Sequence, residues 1–444
     1  MFEIEAELPR RRAREAGLST GVLRAFVLDL ARLDDTVPDA ERIDQIRLLE
    51  ELKSAAAAAQ AKVVAEFRAS QEAEQQARGV PANDVGKGIA AQVALAKRES
   101  AARARRYIGW SQVLVAELPH TFRALQAGRI TEWRAQIVAK ETAWLSREHR
   151  ERIDEEIAPS VEQWGDRRVE NEVKKHAYRL DPHGFLARLA QAEGERRVSL
   201  KPAPDCMSSL HALLPVAQGV SVLASLQREA DSLRGQGDAR TRGQIMADTL
   251  VQRVTGQASA ESVPARIELV MTDQTFFNTG GGSDEPAHLI GCGTIPAELA
   301  RRLARIASQE AEAFVRRLYA DPGGRLVAME STSRRFVGGL AEFLVIRDQV
   351  CRTPWCDAPV RHKDHVIPVD AGGLTSESNG QGLCEACNQA KEAAGWRHEP
   401  LGKGAGESVA ITTPTGHRYR SSSPDPPGTQ SQPERHLLDL IWAA

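Results

Sequence analysis

Across residues 18–180, apolar side chains recur mostly at three- and four-residue steps, the spacing of helices with one buried face. The clearest stripe is Ile43, Ile46, Leu49, Leu52, Val63 and Phe67, which begins just after Asp39, a residue able to cap a helix start. Inside it, the run Ala55–Ala59 has high helix propensity and permits a second helix to approach closely. Gly79, Pro81 and Gly86 interrupt the stripe, and the pattern resumes as a helix over about 89–107. Leu118-Pro119 marks the next boundary. Gly128 closes a short helix, and Thr131 caps one that contains Trp133 and Ile137. Helical spacing returns over 148–157 and 161–178. This half reads as an all-α bundle or array.

After Asp181-Pro182 the period changes. Residues 197–200 and 207–211 alternate like two strands of a hairpin, and 266–272 has the β-branched, alternating content of another strand. Helices are predicted over 222–233, around Ala247-Asp248 and Leu250, and over 299–318. Gly280-Gly281-Gly282-Ser283 predicts a flexible loop. Residues 420–433, with Ser421 to Ser423 and Pro424, Pro426, Pro427 and Pro433, predict disorder.

Composition narrows the function without choosing it. The 444 residues suffice for two or three domains, and 42% hydrophobic with 27% charged residues is ordinary for a soluble protein. A net charge of −2 means that any nucleic-acid contact must come from local patches. Lys97, Arg98, Arg103, Arg105 and Arg106 form one such cluster, and Arg301, Arg302, Arg305, Arg316 and Arg317 another. Either could follow phosphates, and a solvated or internally paired helix face is the alternative for each. The segment 89–106 also has the outline of the start of a helix-turn-helix, although its turn lacks a glycine. The acidic start (Glu3, Glu5, Glu7) does not read as a secretory signal, and no apolar run is long enough to span a bilayer, so a cytoplasmic protein is expected. Cys206 and Cys292 stand alone and are expected to be buried thiols.

The remaining four cysteines carry the chemistry. Cys351 and Cys356 form a Cys-x4-Cys pair, Cys384 and Cys387 a Cys-x2-Cys pair, and 27 residues lie between them. Two such pairs can give four thiolates to one structural Zn²⁺, which closes the intervening segment into a loop. That loop holds Asp364-His365 and Asn379, and Asn388 follows the last cysteine. A plain zinc ribbon would also explain the cysteines, but not the Asp-His pair, the Gly372-Gly373 hairpin or the final Asn. His362 lies an odd number of residues from His365, so a strand would put it on the opposite, exposed side.

The order Asp-His, Asn, Asn, with Val366-Ile367-Pro368, Gly372-Gly373-Leu374-Thr375, Lys391 and Trp396, resembles the HNH endonucleases, the ββα-metal fold, in its HNN form. The resemblance implies that His365 is the general base, that Asp364 and Asn388 hold one divalent cation at the scissile phosphate, and that Asn379 braces the hairpin loop to orient His365. A carboxylate and an amide suit Mg²⁺ or Mn²⁺, whereas thiolates suit zinc, so two different metals are expected. Arg361, Lys363 and Lys391 are candidates for phosphate contact, joined by Arg98, Arg105, Arg301 and Arg305 upstream.

Upstream, Glu117-Leu118-Pro119-His120-Thr121, Gly128-Arg129-Ile130, Leu213-Leu214-Pro215, Arg240-Thr241, Ala247-Asp248 and Arg347-Asp348 resemble the actinobacterial domain of unknown function 222, whose members typically end in an HNH module. Thr413-Pro414-Thr415-Gly416-His417 is similar to that family's tail. The expected class is α+β. A tail (1–19) precedes a mainly helical region (20–320; helical 20–180, mixed 181–320), a linker (321–342), an HNH module (343–403) and a partly disordered tail (404–444). The expected activity is metal-dependent DNA hydrolysis in an actinobacterium or one of its mobile elements. Two alternatives are a regulatory DNA-binding protein with a non-catalytic module, and an RNA nuclease.

Overall fold

A computed structural model of the chain describes residues 19–34, 36–257, 269–272, 275–276, 285–290, 293–309, 335–401 and 408–424. Among the described residues, a run of helices comes first: α1 Thr20–Leu30, α2 Asp39–Ala77, α3 Ile89–Lys97, α4 Ala101–Glu117, α5 Pro119–Gln126, α6 Glu132–Thr142, α7 Arg147–Ile157, α8 Asp166–Leu180 and α9 Pro182–Gly194. Local chemistry sets several boundaries. Ser100, Thr131 and Ser146 each accept a backbone N–H from the third residue of the helix that follows. Gly128 has φ +72° and lies against the Glu51 backbone, where a side chain would collide.

The main core lies among α2 and α4–α8, with Leu114, Leu118, Leu125, Ile153, Ile157 and Val169 fully buried. The long helix α2 meets it through Ala58 and Ala61, so small residues make the close approach. Ile43, Ile46 and Val63, expected to face a core, are instead 66%, 63% and 63% exposed, because α2 buries the face that carries Ala58, Ala61 and Val64. The helix expected over 89–107 is two helices. Arg98 takes a left-handed conformation (φ 55°) between them, and Ser100 caps the second.

β1 Arg197–Ala203 and β2 Met207–Leu213 pair antiparallel, and α10 Val216–Gly235 packs on α11 Arg242–Thr255. Cys206 sits exposed in the β1–β2 turn, which corrects the expectation of a buried thiol; Cys292 lies outside the described residues. β3 Leu269–Val270, β4 Ala287–Leu289 and β5 Gly293–Ile295 form a small sheet, followed by α12 Ala297–Gln309. The glycine loop at 280–283 also lies outside the described residues.

The last part begins with α13 Gly338–Asp348. The hairpin β6 His362–His365 and β7 Gly380–Leu383 follows, then α14 Glu385–Lys391, a ββα arrangement. β8 Arg397–Leu401, β9 Ser408–Thr412 and β10 Arg418–Ser422 then form a three-stranded antiparallel sheet in the order β10-β9-β8. Residues 408–422, expected as tail, are therefore structured. Val409 and Ile411 bury their side chains beside Val366 of the hairpin and Leu95 of α3.

Two contacts fix this module. The first is the dock on α3 and α4, where Leu95, Ala101 and Gly88 meet the HNH side; a Cβ at Gly88 would press into Trp396. Because Ala101, the first residue of α4, is buried against the cysteine cluster, the start of α4 cannot enter a DNA groove as a helix-turn-helix would. The second is the Asp348 carboxylate, which is wholly buried. It accepts hydrogen bonds from Arg347 Nε (2.7 Å), Arg352 Nη1 (2.9 Å) and the Gly382 backbone N–H (2.6 Å). Replacing Asp348 by Ala would leave two buried guanidiniums without their anion, a loss of about 3–5 kcal/mol. Denaturant unfolding of Asp348→Ala should show that loss, whereas an exposed change such as Glu385→Ala should stay within about 0.5 kcal/mol.

Candidate metal centre and hydrolytic site

The cysteines converge. The four sulfurs of Cys351, Cys356, Cys384 and Cys387 lie within 4.8 Å of one another, and all four residues are buried. Cys356 Sγ is 3.6 Å from Cys384 Sγ and 3.7 Å from Cys387 Sγ. A tetrahedron with Zn–S of about 2.3 Å has edges of roughly 3.8 Å, so the donor set fits a metal such as zinc. The local backbone explains the convergence. Cys351 N–H bonds the Ala358 carbonyl, Cys356 N–H bonds the Thr353 carbonyl, and left-handed Trp355 and Asp357 turn the chain back. Cys384 caps α14, its sulfur 3.5 Å from Cys387 N–H. Sharing hydrogen bonds with one another, the thiols divide: Cys384 is driven down, and Cys356 and Cys387 up. A bound dication would remove that conflict by favouring all four thiolates.

β6 directs Asp364 toward α14 and His365 toward α13. His365 is buried, its ring 4.5 Å from the Phe336 ring, and Nε2 is 2.9 Å from Thr375 Oγ1. Burial holds its pKa below the ordinary imidazole value, with Asp364 opposing and Lys391 adding to the shift, so the ring is neutral near pH 7. Asn379 spans the loop. Its Oδ1 accepts from Ile367 N–H (2.8 Å), and its Nδ2 donates to the carbonyls of Ile367 (2.9 Å) and Leu374 (2.8 Å). Gly373 is required there, because a Cβ would collide with the Ile367 carbonyl and Asn379 Nδ2.

Asn388 lies at the start of the second turn of α14. Its Oδ1 is buried and has no hydrogen-bond partner among the described residues, an arrangement that normally costs about 1–3 kcal/mol. Lys391, one turn further, is only 5% exposed and places Nζ 2.6 Å from Asp364 Oδ2. It is therefore not a surface cation for phosphate, which corrects that expectation. His398 completes this neighbourhood, 3.4 Å from Gln381 Oε1 and pushed down to about 4 by burial and by Lys391. No motif in the chain pointed to His398 or Phe336, since both reach the site from outside the cysteine-bounded loop.

The basic candidates separate. Arg361 is exposed and Lys363 half-buried beside the site; His362 is exposed, on the other side of β6 from His365. Arg105 is exposed on α4. Arg98 leans over the Trp355 ring at 5.8 Å and so belongs to the dock. Arg301 and Arg305 both reach Glu298, at 3.2 and 3.9 Å, as internal pairing would have it.

The family model of a domain of unknown function, number 222, matches residues 46–348. The chain belongs to that family. The HNH endonuclease model matches residues 349–394, so this domain of unknown function 222 protein carries an HNH domain directly after its family region. The join falls beside Asp348. An uncharacterised protein of Mycobacterium tuberculosis is 39% identical over 89 residues, which are 19% of this chain and 16% of that relative. The chain thus aligns with less than a fifth of the relative's length. No solved structure matches. No described helix is long and apolar enough to cross a membrane. The HNH domain supports a nuclease-like, metal-dependent function.

If one metal joins the four sulfurs, Cys384→Ser should reduce bound zinc from about one per chain toward zero and lower the melting temperature. Elemental analysis with a thermal melt checks both, and a fully folded, zinc-free wild type would contradict the assignment.

Proposed function

We propose that this protein is an endonuclease that hydrolyses DNA phosphodiesters with a single divalent cation, Mg²⁺ or Mn²⁺. The buried, unpartnered Asn388 Oδ1 carries the reading. It is an oxygen donor kept from water and from every described hydrogen-bond donor, three residues before Lys391, whose ammonium reaches the Asp364 carboxylate. A carboxylate and an amide oxygen, with the rest of the shell left to water and phosphate, is a donor set that suits Mg²⁺ or Mn²⁺. When bound, such an ion neutralises charge developing on the phosphate.

The protein's own groups would do the rest. His365 takes a proton from the attacking water. Nε2 lies 2.9 Å from Thr375 Oγ1; in the tautomer that carries its hydrogen on Nε2, that N–H donates to Thr375 Oγ1 and the Nδ1 lone pair is left for the proton. Water oxygen forms the new P–O bond as the bridging P–O bond breaks, giving a phosphomonoester and a hydroxyl. Asn379 fixes the loop between β6 and β7, and with it Thr375. The four-cysteine site holds a structural Zn²⁺ beneath the start of α14. Arg361 and Arg105, both exposed, and the half-buried Lys363 are the cations offered to phosphates, and the helical region supplies affinity that a small module lacks.

Plasmid cleavage with Mg²⁺ or Mn²⁺ tests the proposal. His365→Ala should lower the rate at least 100-fold with DNA and Mn²⁺ affinity nearly unchanged, because a base acts on water. Asp364→Ala and Asn388→Ala should weaken the cation and recover part of the rate at raised Mn²⁺. Wild-type turnover in His365→Ala would remove the general-base role. Cleavage of RNA but not DNA would move the substrate class, and folded, zinc-loaded protein inert on both would favour a regulatory, non-catalytic module.

A further inference from the structure

Lys391 is buried in the one place where the proposed site needs a cation. Its side chain is 5% exposed, with Nζ 2.6 Å from Asp364 Oδ2. Glu392 Oε1, at 3.5 Å, belongs to a side chain that is 65% exposed and so screened by water. A buried ammonium is costly unless an anion compensates it, and Asp364 is the anion that does so. The same carboxylate is half of the proposed donor set. The other half, Asn388 Oδ1, stands three residues earlier on α14 and is left without a partner. The ammonium therefore satisfies the charged donor while the neutral donor stays unsatisfied. That is how a tethered monovalent cation would sit in a divalent site, reaching the carboxylate but offering the amide oxygen nothing.

We propose that Lys391 is a built-in competitor for the cation site: its ammonium neutralises Asp364 in the metal-free protein, and a divalent cation binds by displacing it. The inference rests on the reading of Asp364 and Asn388 as cation ligands. It has a clear rival. If Lys391 only steadied Asp364, with Oδ2 on the lysine and Oδ1 on the metal, both cations would stay, and loss of the lysine would loosen the ligand. Competition and steadying predict opposite signs for Lys391 variants. Competition is favoured by charge, since an ammonium and a dication on one carboxylate repel each other, the more so where the lysine is buried and the carboxylate only partly exposed.

The test uses the full chain, zinc-loaded, with Mn²⁺ alone as the probe. Free Mn²⁺ is read by electron paramagnetic resonance during titration of wild type, Lys391→Met and Lys391→Gln. Removing the charge should tighten Mn²⁺ binding on the order of tenfold. Glutamine keeps a hydrogen bond to Asp364 without the charge, so it covers the case in which methionine misfolds. In wild type, acetylation of Lys391 by an N-hydroxysuccinimide ester, followed by mass spectrometry, should rise several-fold at saturating Mn²⁺ as the ammonium leaves its burial. Equal or weaker Mn²⁺ binding by the folded glutamine variant overturns the inference, and so does labelling unchanged by Mn²⁺. Asp364→Ala separates the two levels. If it keeps wild-type Mn²⁺ affinity, the cation site itself is misplaced and the competitor falls with it. If it loses Mn²⁺ while Lys391→Gln gains nothing, the site stands and only the competition fails.

Discussion

The buried Asp348 carboxylate, held between Arg347 and Arg352, is the interaction on which the HNH end of the molecule depends. Arg347 also donates to the carbonyls of Glu377 (2.6 Å) and Gly380 (2.7 Å), at the entrance to β7. Arg352, inside the first cysteine loop, reaches Ser423 Oγ at 2.6 Å and Ser421 Oγ at 3.3 Å at the end of the last sheet. One anion therefore gathers α13, the first cysteine loop, the β6–β7 hairpin and the end of β10. Two guanidiniums and one carboxylate leave a net positive charge in a buried site, and backbone carbonyls and serine hydroxyls take up the spare donors. Buried charge of this kind contributes little net stability compared with an apolar core, but breaking it is expensive. Its use here is geometric. The hairpin that holds His365 cannot shift without opening an ion cluster.

A second constraint is size. The segment from Cys351 to Lys391 has few large apolar side chains of its own, and modules this small need a metal or a borrowed core. Both occur. The four-cysteine cluster closes one side, where Ala101 of α4 packs on it. Leu95 of α3 closes the other, together with Val366, Val409, Ile411 and Trp396. The helical region is thus part of the HNH core, and the glycine at position 88 is what lets α3 come near Trp396. Whatever else the domain of unknown function 222 does, it holds the HNH domain in one orientation relative to Arg105 and the rest of α4.

Signals that are local in the chain were readable from the residues. Thr131 and Gly128 mark helix ends through their own backbone chemistry, and the cysteine pairs converge because each is short enough to be one turn. The Asp-His strand, the two-glycine loop and Asn388 fall in the hairpin–helix unit that the resemblance to HNH endonucleases implied. Interactions that join distant segments were not readable. Ile43 and Ile46 have the periodicity of a buried face, but periodicity does not say whether a neighbour exists. The strands at 408–422 are short, polar on one side and followed by serines and prolines, so composition hid Val409 and Ile411. Lys391 looked like a phosphate ligand because a lysine on a short polar helix is usually solvated. Only the fold brings Asp364 to it from 27 residues away.

Helix α14 turns these separate constraints into one device. Its N-cap is Cys384 and its first turn carries Cys387, and its next carries Asn388 and Lys391. Successive helix residues rise about 1.5 Å and rotate about 100°, so once the two sulfurs are fixed, the amide and the ammonium are fixed as well. A seven-residue helix has too few internal hydrogen bonds to hold that geometry alone. A metal held by the cysteines at its start would supply the missing rigidity, and the Lys391–Asp364 pair ties its end to β6. The cysteine cluster is therefore joined to the proposed cation site through a single short helix. Loss of zinc would misplace Asn388 even if Asp348 kept the hairpin and His365 in position.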